Sequence, residues 1–213
     1  MKVAITNNAK LLAIFAIVCT LIVAVVNELT KEKINQQAEQ YLLTTLHSII
    51  EPERLNNDMY HDCLMVSDPL LGNKTQQTIY LARLNETPVA AAITATAPDG
   101  YNGNIELLVA INVDGSISGV RTLQHNETPG LGDKVELRKS SWITSFSGNV
   151  LDGENDSRWA VKKDGGMFDQ FTGATITPRA VVKAVRKAVI YFEKNKTFLF
   201  SNSSADNSAS CRG

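Results

Sequence analysis

From Leu11 to Val26 the chain reads LLAIFAIVCTLIVAVV, a run without a charged residue in which only Thr20 is clearly polar. Ala9 and Leu29 extend it, with Lys10 at one border and Asn27-Glu28 at the other, to about 20 residues, the length that spans a bilayer core. Lys2 and Lys10 ahead of an apolar run also fit a cleaved signal peptide. No small-x-small cleavage site follows, however: Ala24-Val25-Val26 is a poor match, and Cys19 is preceded by Val18 rather than by a small residue. A retained membrane anchor is therefore the better reading.

The period then becomes helical. Ile34, Ala38, Tyr41, Leu42, Leu46, Ile49 and Ile50 recur at steps of three and four, which predicts an amphipathic helix ending before Pro52. Its stripe has two possible partners, the core of its own domain, which is the default, or a neighbouring polypeptide of an assembly. Glu51 to Gly72 carries interspersed Pro, Asn and Asp and reads as mostly irregular. From Thr78 the pattern is extended. Thr78–Leu84 and Val89–Thr96 flank Asn85-Glu86-Thr87-Pro88, and Ile105–Val113 and Ile117–Leu123 flank Asp114-Gly115, a strong hairpin signal. A helical stretch is expected around Val135 to Phe146 and a short strand over Trp159 to Lys163. A final helix starts near Thr177-Pro178, with Thr177 as N-cap, Pro178 at the first helical position and Val181, Val182, Val185, Ala188, Val189 and Phe192 on one face. Consecutive antiparallel strands with helices at either end make an α+β architecture. A parallel dinucleotide fold would need alternating strands and helices and a Gly-rich first turn, and neither is present.

Composition narrows the function classes. About 180 residues follow the apolar segment, enough for one core. A formal charge of −1 shows no basic excess, so no nucleic acid partner is expected. His47, His61 and His125 are isolated, and no Cys-x-x-Cys or His-x-x-x-His spacing occurs, so no metal site is expected. His61-Asp62-Cys63 is not read as a nucleophilic pair. Cys63 and Cys211 are able to pair in an oxidising compartment or to stay free, but Cys211 lies in a Ser- and Asn-rich tail expected to be disordered, which makes a structural disulfide improbable. Lys2 and Lys10 before the anchor are balanced by Lys31 and Lys33 after it, so charge alone gives only a weak orientation.

The candidate chemistry sits in two loops. Asp169-Gln170-Phe171-Thr172-Gly173-Ala174-Thr175 lies between the turn Asp164-Gly165-Gly166 and the last helix. Gly173 and Ala174 leave room for a ligand, and the Thr175 hydroxyl faces the N-terminus of that helix, where a phosphate is favoured. The plain alternative is that Thr172 and Thr175 only cap the helix or bond the backbone. Arg179 is placed to screen a phosphodiester or simply to be solvated, the latter being preferred. Glu127-Thr128-Pro129-Gly130-Leu131-Gly132 is the second loop: its glycines let amides approach a planar ligand while Leu131 offers apolar surface, unless Pro129-Gly130 merely makes a turn. Trp142 and Tyr101 are candidates for stacking or for the core.

These strings, with Gly100-Tyr101-Asn102-Gly103 leading into Ile105–Ile111 and the N-terminal apolar segment, resemble the G-subunit family of the Rnf/Rsx electron-transport complex, related to the C subunit of sodium-pumping NADH:quinone reductase. The resemblance covers most of the chain. It implies a single transmembrane helix followed by an FMN-binding domain with an antiparallel sheet and flanking helices. It further implies FMN held covalently by a phosphoester to Thr175. Thr172, Gly173, Ala174, Glu127, Thr128, Gly130, Leu131 and Gly132 would bind that cofactor, Glu127 and Thr128 through polar contacts to the ring or ribityl chain. An ApbE-type flavin transferase would recognise Asp169, Thr172, Gly173, Ala174 and Thr175. Implied partners are the other membrane and redox subunits of the complex, and the implied location is the bacterial inner membrane with the C-terminal domain in the periplasm. The expected division is an anchor over 1–30, a helix and hairpin over 31–98, the FMN-binding core over 99–198 and a tail over 199–213. The alternative is an anchored scaffold or binding module with no redox cofactor, whose Thr-Gly-Ala-Thr is only a turn and a cap.

Overall fold

A computed structural model describes residues 2–72 and 76–201, without the side chains of residues 2–4 and 35. Two compact units divide the chain, Met1–Thr44 and Thr45–Gly213. The first is carried by α1, Lys2–Ile49, a continuous helix. It contains the one helix among the described residues long and apolar enough to cross a membrane, with a mean hydropathy of 2.8 in its most apolar window. Leu11, Leu12, Phe15 and Leu21 are all more than 60% exposed. The amphipathic helix expected after the anchor is its direct continuation, with no break between them. Of its stripe, Ile34 and Tyr41 stay exposed, whereas Leu46, Ile49 and Ile50 are buried.

The second unit is built on an antiparallel sheet in sequence order, β1 (Cys63–Val66), β2 (Gln77–Leu84), β3 (Thr87–Gly100), β4 (Gly103–Asn112) and β5 (Ile117–Gln124). The α+β expectation stands, and β1 is an addition, since its four residues lie inside the stretch read as irregular. β2 and β3 are joined by Asn85-Glu86 alone, both at positive φ (49° and 63°), the requirement of a two-residue type I′ turn. Ala91, Ile93, Ala95 and Ala97 of β3 alternate onto one face and join Leu107, Val109 and Ile111 of β4 in the main core. Their small side chains let α2 (Ile176–Ser201) lie close against the sheet, burying Val181, Val185, Ala188, Val189 and Phe192. On the other face Ile49 sits on Gly119, where an added Cβ would come within 2.9 Å of the Ile49 side chain. Ser118 Oγ donates to the Ile49 carbonyl at 2.5 Å, tying the end of α1 to β5.

Four local expectations change. The stretch Val135 to Phe146 is two 3-10 turns, Gly132–Val135 and Ser141–Phe146, because Lys139 and Ser140 both bond back to Glu136 and Ser140 then caps the next turn through Trp142 N. Trp159 to Lys163 is not a strand. Only Val161 pairs, with Phe168, and Lys162–Asp164 is a 3-10 turn closed by Gly165 at φ +86°. Cys63 is disulfide-bonded, against the expectation of no structural disulfide, and Cys211 lies outside the described residues, as does the tail from 202. α2 continues through Ser201, past the expected tail boundary at 199.

Candidate functional site

Phe171 to Ala174 forms a tight turn, with Ala174 N donating to the Phe171 carbonyl at 3.1 Å. Gly173 occupies its third position at φ +82°, the left-handed conformation a type II turn demands there. The turn rests on aromatic packing. Trp142 Nε1 donates to the Asp169 carbonyl at 2.7 Å, and Phe171 meets the Trp142 ring edge-on at 5.0 Å. Beneath them Phe146 stacks on Phe168 at 4.4 Å. Trp142 is thus a core residue that carries the loop from below, while Tyr101 is 67% exposed.

The helix begins two residues earlier than expected, at Ile176 rather than Pro178, which puts Thr175 rather than Thr177 at the N-cap position. Three hydroxyls cluster at this helix start, and the structure separates them. Thr177 is fully buried and donates to the Glu127 carboxylate. Thr172 is exposed. Thr175 is half-buried, lines a cleft and, among the described residues, makes no side-chain hydrogen bond.

That cleft, about 250 Å3, is lined by Tyr101, Glu127, Thr128, Leu131, Gly132 and the run Gly173–Thr177. Both sequence-marked loops therefore meet around one cavity. The 127–132 loop is folded by Thr128, whose carbonyl accepts from Leu131 N and Gly132 N, each at 3.1 Å. Leu131 stays 41% exposed and reaches toward Gly173, where an added Cβ would lie 3.4 Å from its Cδ2. Asp169 is exposed and ion-paired with Lys162 at 2.6 Å. Gly130, at φ +77°, borders open space and does not line the cleft.

Glu127 lines the cleft with both carboxylate oxygens engaged by the chain itself. Oε1 accepts from Asn102 N at 3.1 Å and Oε2 accepts from the Thr177 hydroxyl, so its polar capacity is turned inward. Its own backbone N–H donates to His125 Nδ1 at 3.0 Å. That bond requires Nδ1 to be unprotonated, so the imidazole proton sits on Nε2 and points at Glu136 Oε1, 2.8 Å away. The His125 hydrogen bond, reinforced by Arg138 against the desolvation of burial, holds the Glu136 carboxyl below the usual carboxylate range. Arg179 is solvent-exposed, as expected, and does not line the cleft: its Nε and Nη2 grip Asp164 at 2.6 Å each. That pairing lowers the Asp164 carboxyl and raises the Arg179 guanidinium from their ordinary values.

Sequence reading located both loops but missed the Asn102 amide and the Glu127–Thr177 bond. The available signal was Gly100 and Gly132. A Cβ on Gly100 would stand 2.9 Å from Glu127 Oε1, and one on Gly132 would stand 2.6 Å from Oε2. Two glycines flanking a buried acid mark where backbone must pass close to it.

Residues 100–190 match the FMN-binding domain family, and residues 1–49 match the RnfG N-terminal region family. The chain is 52% identical over 202 residues to the G subunit of the ion-translocating oxidoreductase complex of Shewanella loihica, covering 94% of this chain and 95% of that one. The corresponding protein of Salmonella typhi is 51% identical over 189 residues, with 89% and 91% covered. That of Erwinia tasmaniensis is 50% identical over 190 residues, with 89% and 90% covered. The cleft and both of its loops lie inside the FMN-binding domain match.

Proposed function

The chain belongs to the family of G subunits of ion-translocating oxidoreductase complexes, and on that premise we propose that it carries FMN as a phosphoester on Thr175 and passes electrons between other redox subunits. One observation carries the assignment of the acceptor. Of the three hydroxyls at the start of α2, Thr175 alone both lines the cleft and has no partner among the described residues.

The chain's own groups fit such a cofactor. A phosphate esterified to Thr175 would lie against the first-turn N–H groups of a long helix, which have no intrahelical acceptor and favour negative charge. The ring would have the apolar surfaces of Tyr101, Leu131 and Ile176, all exposed at the cleft. Thr172, Gly173 and Ala174 shape the turn beside it, and Thr128, Gly130 and Gly132 keep the facing loop low. The cofactor supplies the redox chemistry, while the polypeptide supplies placement and field.

Attachment would be catalysed by a flavin transferase of the ApbE type that reads Asp169, Thr172, Gly173, Ala174 and Thr175 and holds FAD. The Thr175 oxygen attacks the FMN-side phosphorus, the pyrophosphate P–O bond breaks, AMP leaves, and the hydroxyl proton passes to a base of the transferase. Exposure of Asp169, Thr172 and Gly173 leaves the motif accessible to that partner. The candidate membrane helix would anchor the chain in the bacterial inner membrane with the 45–201 unit in the periplasm, where covalent attachment prevents loss of the flavin.

The test is in-gel fluorescence after denaturation of protein made with and without a flavin transferase. Fluorescence that requires the transferase and is lost in Thr175→Ala is the expected result. A dark wild type would leave the anchored scaffold as the better reading.

A further inference from the structure

Glu127 is 5% exposed, yet it lines the cleft beside Thr175. Both of its oxygens act as acceptors, Oε1 from Asn102 N at 3.1 Å and Oε2 from the Thr177 hydroxyl. Acceptor-only use of both oxygens is the pattern of an ionised carboxylate. Among the described residues no Lys, Arg or His side chain forms an ion pair with it. The fold makes space for it at a cost in backbone freedom, since Gly100 and Gly132 both sit where a side chain would strike its oxygens. A buried, unneutralised carboxylate is expensive to keep, and this one is held from two sides.

Resting on the flavin reading above, we propose that Glu127 is a positioning residue that also acts electrostatically. It ties the first turn of α2 to the 125–132 loop, and its fixed negative charge lowers the reduction potential of FMN bound in the cleft. Thr177 lies two residues after Thr175, so the Glu127–Thr177 bond fixes the helix start from which the acceptor hydroxyl projects. The charge acts separately. Reduction of a flavin by two electrons with uptake of one proton leaves the ring one unit more negative, and a nearby carboxylate in a partly desolvated wall disfavours that form. Neutralising it should move the two-electron equilibrium toward the reduced ring by roughly tenfold, which is about 30 mV.

The experiment uses the full chain in detergent, flavinylated in the cell by a co-produced transferase, and titrates the bound flavin with dithionite at fixed pH. Glu127→Gln preserves size and one acceptor while removing the charge; Thr177→Val keeps the charge and removes the bond. The expected result is a potential about 30 mV higher in Glu127→Gln, by the same constant, and unchanged in Thr177→Val, with flavin attachment slowed in the latter. Equal potentials in wild type and Glu127→Gln, or an equal rise in Thr177→Val, overturn the electrostatic claim. If Glu127→Gln does not fold, Glu127→Asp decides: a wild-type potential with slowed attachment supports the proposal, and a raised potential overturns it. A wild type lacking covalent flavin overturns the underlying reading as well, whereas equal potentials in fluorescent proteins overturn this inference alone.

Discussion

Trp142 donates its indole N–H to the carbonyl of Asp169 at 2.7 Å while its ring packs edge-on against Phe171 at 5.0 Å, so one core side chain fixes the loop that presents Thr175. Order in that loop is imposed from the aromatic core, since Thr172 and Gly173 themselves are exposed.

Trp142→Phe keeps an edge-on aromatic partner for Phe171 but leaves the Asp169 carbonyl without its donor. A hydrogen bond of this kind contributes about 1 kcal/mol net, so the melting temperature should fall by about 2–4 °C. Flavin attachment, followed as the rise of fluorescent protein on incubation with transferase and FAD, should slow relative to wild type. An unchanged attachment rate would show that the loop is held by its own turn.

Gly132→Ala should be more damaging than Gly130→Ala. At Gly132 an added Cβ meets Glu127 Oε2 at 2.6 Å and Thr177 Oγ1 at 2.8 Å, whereas at Gly130 it meets open space and only the positive φ of 77° is strained. Breaking a buried hydrogen bond and displacing a carboxylate costs about 2–4 kcal/mol, against about 1 kcal/mol for the strained backbone. Urea denaturation of the two variants checks the order.

Acid should erode stability through Glu136. Its carboxyl is depressed below its ordinary value of 4.5 by the hydrogen bond from His125, with Arg138 acting in the same sense. A group that binds its proton more weakly when folded stabilises the fold fully above its unfolded value and loses that contribution as pH falls through the folded value. Glu136→Gln should therefore melt lower than wild type near neutrality, with the gap closing as pH drops below about 4.5. A gap independent of pH would contradict the assignment.

Much of this was legible from residues. The charge-free run Leu11–Val26 and the apolar stripe of α2 follow from period and lie where they were expected; the hairpin marked by Asp114-Gly115 also forms, but its loop runs over 113–116 and only Gly115 takes a positive φ. Local patterning gave way where tertiary partners decide. Thr177 beside Pro178 reads as an ideal cap, but Glu127, fifty positions earlier, takes its hydroxyl, and the helix start moves to Ile176. Arg179 is solvent-exposed as read, but only the fold brings Asp164 within 2.6 Å of it. β1 was hidden because four residues among Pro, Asn and Asp carry too little periodicity, and Cys63 to Val66 become a strand only by pairing with Gln77 to Tyr80.

Arg179→Ala should leave flavin attachment and melting temperature within error of wild type. Its guanidinium is committed to Asp164 in a solvent-exposed pair, and such pairs contribute little. A marked loss of attachment would place Arg179 at the phosphate instead.

The attachment point itself is tested most directly by intact-mass and peptide-mass analysis of the full chain made with a flavin transferase. The account predicts an adduct equal to FMN less one water, confined to the peptide holding Thr175, absent from Thr175→Ala, with both proteins melting alike because the core packing of α2 and the sheet does not involve the cofactor. An unmodified wild-type chain, or an adduct mapped to Thr172 or any other residue, would contradict it.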